Sequence, residues 1–177
     1  MIRPPSEEIL QRMFSLPQET HPERIYVLNQ LQIYNISIPK SFICDLGCGS
    51  HKTINSAWGV DIRPTSNICG TIERLPFRND SVDVIISRHS FEHVLDSVEV
   101  LLEWRRCLKP GGLVIFVLPD FEFLDTMHPI LSSNVHLHAF TRKSFFNLVN
   151  RIENFNIEKL ETVVEEWSFG GAIRRIK

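Results

Sequence analysis

Residues 113–119 read LVIFVLP, an apolar run in which polar positions never alternate with apolar ones. A strand with one wet face would alternate with period two. This run therefore predicts a strand covered on both sides, as in a parallel sheet. VDVIISR at 82–88 is strongly strand-like as well. Between them DSVEVLLEWRRCL (96–108) reads as a helix closed by KPGG, whose proline and glycines stop it.

The same alternation extends both ways. SFICDL (41–46), WGVDI (58–62) and a short NICGTI (67–72) read as strands. Residues 6–16 and 22–35 read as helices. Ser6 caps the first, with acids in its first turn, and Ile25, Leu28, Leu31 and Ile33 give the second a partial apolar stripe. TRKSFFNLVNRI (141–152) is a further helix with Thr141 as its cap. FNIEKLETVVEE and SFGGAIRRIK close the chain as strands, with too little chain between them for a crossover helix. They are expected to pair antiparallel, Gly170-Gly171 marking a bulge or bend. Strands alternating with helices make this an α/β chain with a mostly parallel sheet.

At 177 residues, with 43% hydrophobic and 23% charged, one domain with a real core is expected over 1–177. Residues 1–38 form a helical N-terminal cap and 41–177 the core. The net charge of −2 offers no electrostatic hold on nucleic acid or an anionic membrane. Cys44, Cys48, Cys69 and Cys107 contain no CxxC pair, and three lie in or beside apolar runs. They read as reduced, buried thiols rather than a disulfide framework or a zinc site. MIRPPSEEILQRMF lacks a signal-peptide core, and no apolar run approaches membrane-spanning length, so a cytoplasmic protein is expected.

ICDLGCGSHK (43–52) is where chemistry concentrates. In an open parallel sheet, ligands bind beyond the carboxyl ends of the strands, and this loop follows the first of them. Gly47 and Gly49 have no side chain to block a ligand. Asp61 ends the next strand, where a carboxylate can accept both hydroxyls of a ribose. The dinucleotide fingerprint GxGxxG fails, because the third glycine would fall at Lys52. A nicotinamide-dependent oxidoreductase is disfavoured on that ground. A tight turn that merely needs its glycines is the plain alternative.

Four stretches in order resemble the class I S-adenosylmethionine-dependent methyltransferases, of the type 11-like kind related to the ubiquinone-biosynthesis methyltransferases. DLGCGS (45–50) resembles the first motif and GVDI (59–62) the second strand with its acid. IERLPFRNDSVDVIISRHSFEHV (72–94) resembles the run from the adenine pocket through the fourth strand. LEWRRCLKPGGLVIFVLPD (102–120) resembles the helix, turn and fifth strand. The resemblance implies a Rossmann-like seven-stranded, mostly parallel sheet with an antiparallel C-terminal hairpin strand, and S-adenosyl-L-methionine as cofactor. Its cofactor-binding positions map to Asp45, Gly47, Cys48, Gly49, Asp61, Ile62, Thr71, Ile72, Arg88 and Ser90. Gly47 and Gly49 would lie against the methionine part and ribose. Asp45 would order the loop or meet the amino group. Asp61 would bind the ribose and Ile62 one adenine face. Thr71 and Ile72 would read the adenine edge, and Arg88 and Ser90 would border the methionine. The chain departs from the family at His51, often a third glycine, and at Thr71, often an acid. The short 50–57 link leaves the first crossover helix reduced or missing and the methionine end more open.

Methyl transfer from a sulfonium needs proximity and alignment, and an oxygen or nitrogen acceptor also needs a base. His93 in SFEHV, past the fourth strand, is the first candidate, with His89 behind it. Glu92 would point elsewhere if that segment were helical. The long 121–140 connection follows the fifth strand and reads as a lid or binding loop. It offers His128, His136 and His138 for acceptor contacts. His136 and His138 would share a face if extended, but no nearby acid or cysteine completes a metal set, so no metal is expected. The Arg105-Arg106 and Arg174-Arg175 pairs read as surface charge. The expected partner is a small-molecule acceptor. A non-catalytic, methyltransferase-like cofactor-binding or assembly subunit is the alternative.

Overall fold

The computed structural model describes residues 6–123, 125 and 136–177. Strands β1 (Ile43–Leu46), β2 (Trp58–Asp61), β3 (Ile68–Cys69), β4 (Val82–Arg88), β5 (Leu108–Pro119), β6 (Phe155–Val164) and β7 (Ser168–Arg175) form one seven-stranded sheet. Its order is β3-β2-β1-β4-β5-β7-β6. The first five strands pair in parallel, and β7 runs antiparallel to both β5 and β6. This is the Rossmann-like arrangement expected. Strand order reverses between β1 and β4, and the loops after them stand at that switch point.

Helices α1 (Glu7–Ser15), α2 (Pro22–Ile33), α3 (Ser97–Cys107) and α4 (Arg142–Val149) complete the described elements, with short 3-10 turns at Gln18–Thr20 and Phe91–His93. Their starts obey local chemistry. Ser6 accepts the Ile9 N–H, Asp96 accepts those of Val98 and Glu99, and Thr141 and Ser144 close a capping box.

The apolar run of β5 behaves as its pattern demands. Val114, Phe116 and Leu118 enter one core with Trp104 of α3 and Phe145 of α4. Ile115 and Val117 enter another with Val27 and Leu31 of α2. Successive side chains take opposite faces, and both faces are covered. Residues 47–57 contain only turns and bends, so the first crossover helix is missing, and Ile54 and Ala57 join α2 on that face.

Several details depart from expectation. The stripe read for α2 holds at Leu31, which is buried, and at Leu28, which packs on the core, but Ile25 and Ile33 are exposed and Val27 is buried in their place. Cys69 is exposed and Cys48 half-buried, against the buried thiols expected. KPGG does not separate α3 from the strand. Leu108 already pairs with Val82, the register slips before Val84 meets Leu113, and Lys109–Gly112 form the bulge between. NICGTI shortens to two paired residues, Ile68 and Cys69. Gly170 and Gly171 keep register; the irregularities fall on β6, at Ile157/Lys159 and Thr162/Val164. Gly171 serves close approach instead, because a Cβ there would meet the Lys159 carbonyl oxygen.

Candidate functional site

The carboxyl end of β1 breaks into the glycine loop because its backbone turns left-handed twice, at Gly47 (φ 67°) and Gly49 (φ 57°). The Gly47 N–H bonds the Val60 carbonyl at 2.8 Å, and the Gly49 N–H bonds Asp61 Oδ2 at 2.7 Å. Ser90 closes the loop from below. Its hydroxyl donates to the Leu46 carbonyl at 3.0 Å, and a Cβ on Gly47 would stand 2.3 Å from Ser90 Cβ.

Asp45 is buried and does not face a cavity. One oxygen accepts the Thr53 N–H, and the Thr53 hydroxyl takes a 3.0 Å bond from Arg88 Nε. Burial pushes the Asp45 carboxyl up, against that backbone bond and the Arg88 charge. Asp45 thereby bonds the 47–57 segment.

Two cavities meet at Gly47 and Gly49. One, of about 680 Å³, runs from the glycines past Asp61 and Ile62 to Thr71 and Ile72. Ile62 is 74% exposed, an apolar surface facing open space. Asp61 Oδ1 accepts the Arg63 N–H at 3.0 Å and Oδ2 the Gly49 N–H, so each oxygen keeps an acceptor position. The other cavity, of about 560 Å³, holds Cys48, Arg88, His89, His93 and His136. Both volumes lie in the range of small-ligand sites. Burial pushes the Cys48 thiol up to about 11, so it stays protonated.

Met13 and Phe14 of α1, with Gln18, His21 and Glu23, wall the second cavity. Glu23, buried at the start of α2, takes His89 Nε2 on both carboxylate oxygens at 2.8 and 2.9 Å. The contact ties α2 to the end of β4.

Residues 44–116 match the family described as a methyltransferase domain. The match spans less than half of the 177-residue chain. Similar proteins include the uncharacterized protein YafE of Escherichia coli, 27% identical over 128 residues, which are 63% of this chain and 60% of YafE. Malonyl-[acyl-carrier protein] O-methyltransferase 1 of Coxiella burnetii is 36% identical over 72 residues, 40% of this chain and 26% of that one. The chain thus spans less than two thirds of the curated relatives it matches. The S-adenosylmethionine dependent methyltransferase of Mesorhizobium loti shares the fold, with a TM-score of 0.69 at 17% identity over 90% of this chain and all of that one.

Most of the expected site residues stand around these two cavities. The exceptions are instructive. His138 faces away: its Nε2 bonds the Val94 carbonyl at 2.8 Å and its ring stacks on Phe140. His128 lies outside the described residues. Arg106 and Glu103 pair on α3 and Arg174 pairs with Glu158, as surface charge should, whereas Arg175 is mostly buried, pairing with Asp80 and donating to the Arg105 and Leu108 carbonyls. Glu92 does not point elsewhere. In the 3-10 turn its Oε1 stands 3.9 Å from His93 Nε2 and 3.8 Å from His136 Nε2. That contradicts the expectation that no acid stands near His136. Sequence reasoning also missed Arg63, which overlies Gly49. The signal for it was its place two residues beyond Asp61.

Among the described residues no helix is long and apolar enough to cross a membrane.

Proposed function

We propose that this chain transfers a methyl group from S-adenosylmethionine to a small-molecule acceptor. The observation that carries the reading is the continuous cleft over bare main chain, with a carboxylate at one end and histidines at the other. The cradle fits the cofactor: the loop presents main chain at Gly47 and Gly49, and Asp61 retains acceptor capacity for two hydroxyls. Asp61 and Ile62 would hold ribose and adenine. Thr71 and Ile72 would flank the adenine edge. Gly47, Cys48, Gly49, Arg88 and Ser90 would surround the methionine part. The bound cofactor supplies an electrophilic methyl group.

This chain's residues do the remainder. The loop and the α1 wall position the cofactor and keep the acceptor over it, the proximity that an in-line displacement requires. His93 lies at the junction of the two cavities and is placed to hold the acceptor's proton. His136 is walled into the same cavity, so its expected acceptor contact stays in the proposal. His138 leaves it.

The test is methyl transfer from labelled cofactor to a panel of oxygen and nitrogen acceptors. His93→Ala should slow turnover on a genuine acceptor while the affinity for S-adenosylhomocysteine stays nearly intact. Full activity in that variant removes His93 as base. Homocysteine-derivative binding without transfer to any acceptor would favour the non-catalytic alternative.

A further inference from the structure

The sequence offered His136 and His138 as an incomplete metal pair, and the fold replaces His138 with better partners. Glu92, His93 and His136 each present a ligand atom, and these atoms lie within 4.8 Å of one another. Glu92 is 1% exposed, and neither of its carboxylate oxygens has a hydrogen bond. A carboxylate withdrawn from water without such bonds costs several kcal/mol unless a positive charge meets it. The nearest positive charge is His89, whose Nδ1 is 3.5 Å from Oε1 while its Nε2 is committed to Glu23. Three imidazole nitrogens thus surround one oxygen at 3.5–3.9 Å.

That spacing suits an ion. Zinc–nitrogen and zinc–oxygen bonds of about 2.0–2.2 Å put neighbouring tetrahedral ligands roughly 3.4 Å apart. The distances of 3.9 and 3.8 Å from Glu92 to His93 and His136 need only a small contraction. The His93 and His136 rings already lie against each other, centroids 4.6 Å apart. The local backbone holds the set together. The Leu137 and His138 N–H groups both bond the Glu92 carbonyl, at 2.9 and 3.1 Å, which fixes His136 beside the 3-10 turn. Both histidines also line the second cavity.

We propose that Glu92, His93 and His136 form a binding site for one divalent transition-metal ion, zinc or a metal of similar preference, opening on the acceptor side of the cleft. Two imidazoles and one carboxylate suit such ions better than magnesium or calcium, which favour oxygen ligands. Three protein ligands leave a coordination position for an oxygen or nitrogen donor of the acceptor. With metal bound, both imidazoles are ligands, and the acceptor's acidity rather than a free histidine then governs its proton. The metal site stands on its own geometry and does not require that methyl transfer occurs.

The full chain is stripped by chelation, dialysed, and titrated with Zn²⁺ by calorimetry and with Co²⁺ by visible absorption. The expected result is one ion per chain, and cobalt bands of a four- or five-coordinate site. Glu92→Gln and His136→Ala should each weaken Zn²⁺ binding at least tenfold, roughly the scale on which disturbing even a ligand's outer partners acts. Cys69→Ser, an exposed thiol remote from the set, should leave it unchanged. Circular dichroism checks folding, and if the buried Glu92→Gln unfolds, the half-exposed ring of His93, replaced as His93→Ala, decides with His136→Ala. Absence of binding, or binding indifferent to these ligand variants, overturns the site. S-adenosylhomocysteine binding is measured on the same metal-free protein, so loss of one reading is seen separately from loss of the other.

Discussion

At the residue scale the site turns on what surrounds two glycines and one carboxylate. Asp61 does two jobs with one group: it bonds the Gly49 and Arg63 N–H groups and keeps an acceptor position on each oxygen. Asp61→Ala should weaken S-adenosylhomocysteine binding, measured by calorimetry, by about 1–3 kcal/mol, the scale of losing bonds to a charged group. Asp61→Asn should lose less, because its one carbonyl oxygen still reaches a backbone donor. Unchanged affinity in both variants would remove Asp61 from the ribose. Gly47→Ala should fail differently. Its Cβ would collide with Ser90 at a left-handed φ, so stability to urea should drop by at least about 1 kcal/mol, with binding lost as well. A stable Gly47→Ala protein would mean the loop has another conformation. Asp61 and both glycines were legible in the sequence, since strand ends and bare main chain announce a ligand edge. Glu92 was not. An α-helical spacing turns neighbouring side chains apart, and the segment is a 3-10 turn that brings Glu92 and His93 together over His136, forty-odd residues away.

At the scale of elements, α2 is the part that the sequence pattern least prepared for. Its buried Glu23 and Gln30 interrupt the apolar stripe, so periodicity found its inner face at Leu28 and Leu31 but misplaced it at Ile25 and Ile33. The contact with His89 explains one of these interruptions. Burial drives Glu23 up, but the His89 charge and bond outweigh it and hold its carboxyl well below the ordinary 4.5. Burial drives His89 down, but the Glu23 carboxylate and bond outweigh it and hold the imidazole well above 6.5. The depressed Glu23 contributes stability that is complete above its unfolded pKa and is lost as pH falls. The raised His89 contributes stability that is complete below its unfolded pKa and is lost as pH rises through the folded one. The pair should contribute most between about pH 4.5 and 6.5. Urea unfolding across pH should show Glu23→Gln flattening the profile on both sides of that window. An identical profile in the variant would show that the pair does not couple to folding. β4, by contrast, was legible to the residue, spanning 82–88 as read, because a strand buried on both faces leaves little choice of register. The β5 bulge was hidden, since proline and glycine also stop helices.

At the scale of the whole molecule, the sheet is sealed on one face by α3 and α4 and on the other by α2 with the helix-free 47–57 segment. The N-terminal helices thus build both the fold and the wall of the second cavity. Leu31→Ala, on the inner face of α2, should cost about 2–5 kcal/mol of stability in urea and weaken the seating of that wall. A cost below about 1 kcal/mol would mean that α2 is only loosely attached. The central claim is that a nucleoside lies across the sheet's switch point. A crystal structure of the protein with S-adenosylhomocysteine tests it most directly. The ribose hydroxyls should stand within hydrogen-bond distance of Asp61, with adenine against Ile62 and the sulfur facing His93. Density for the ligand elsewhere, or Asp61 still bonded only to its two backbone donors with the ligand in place, would contradict it.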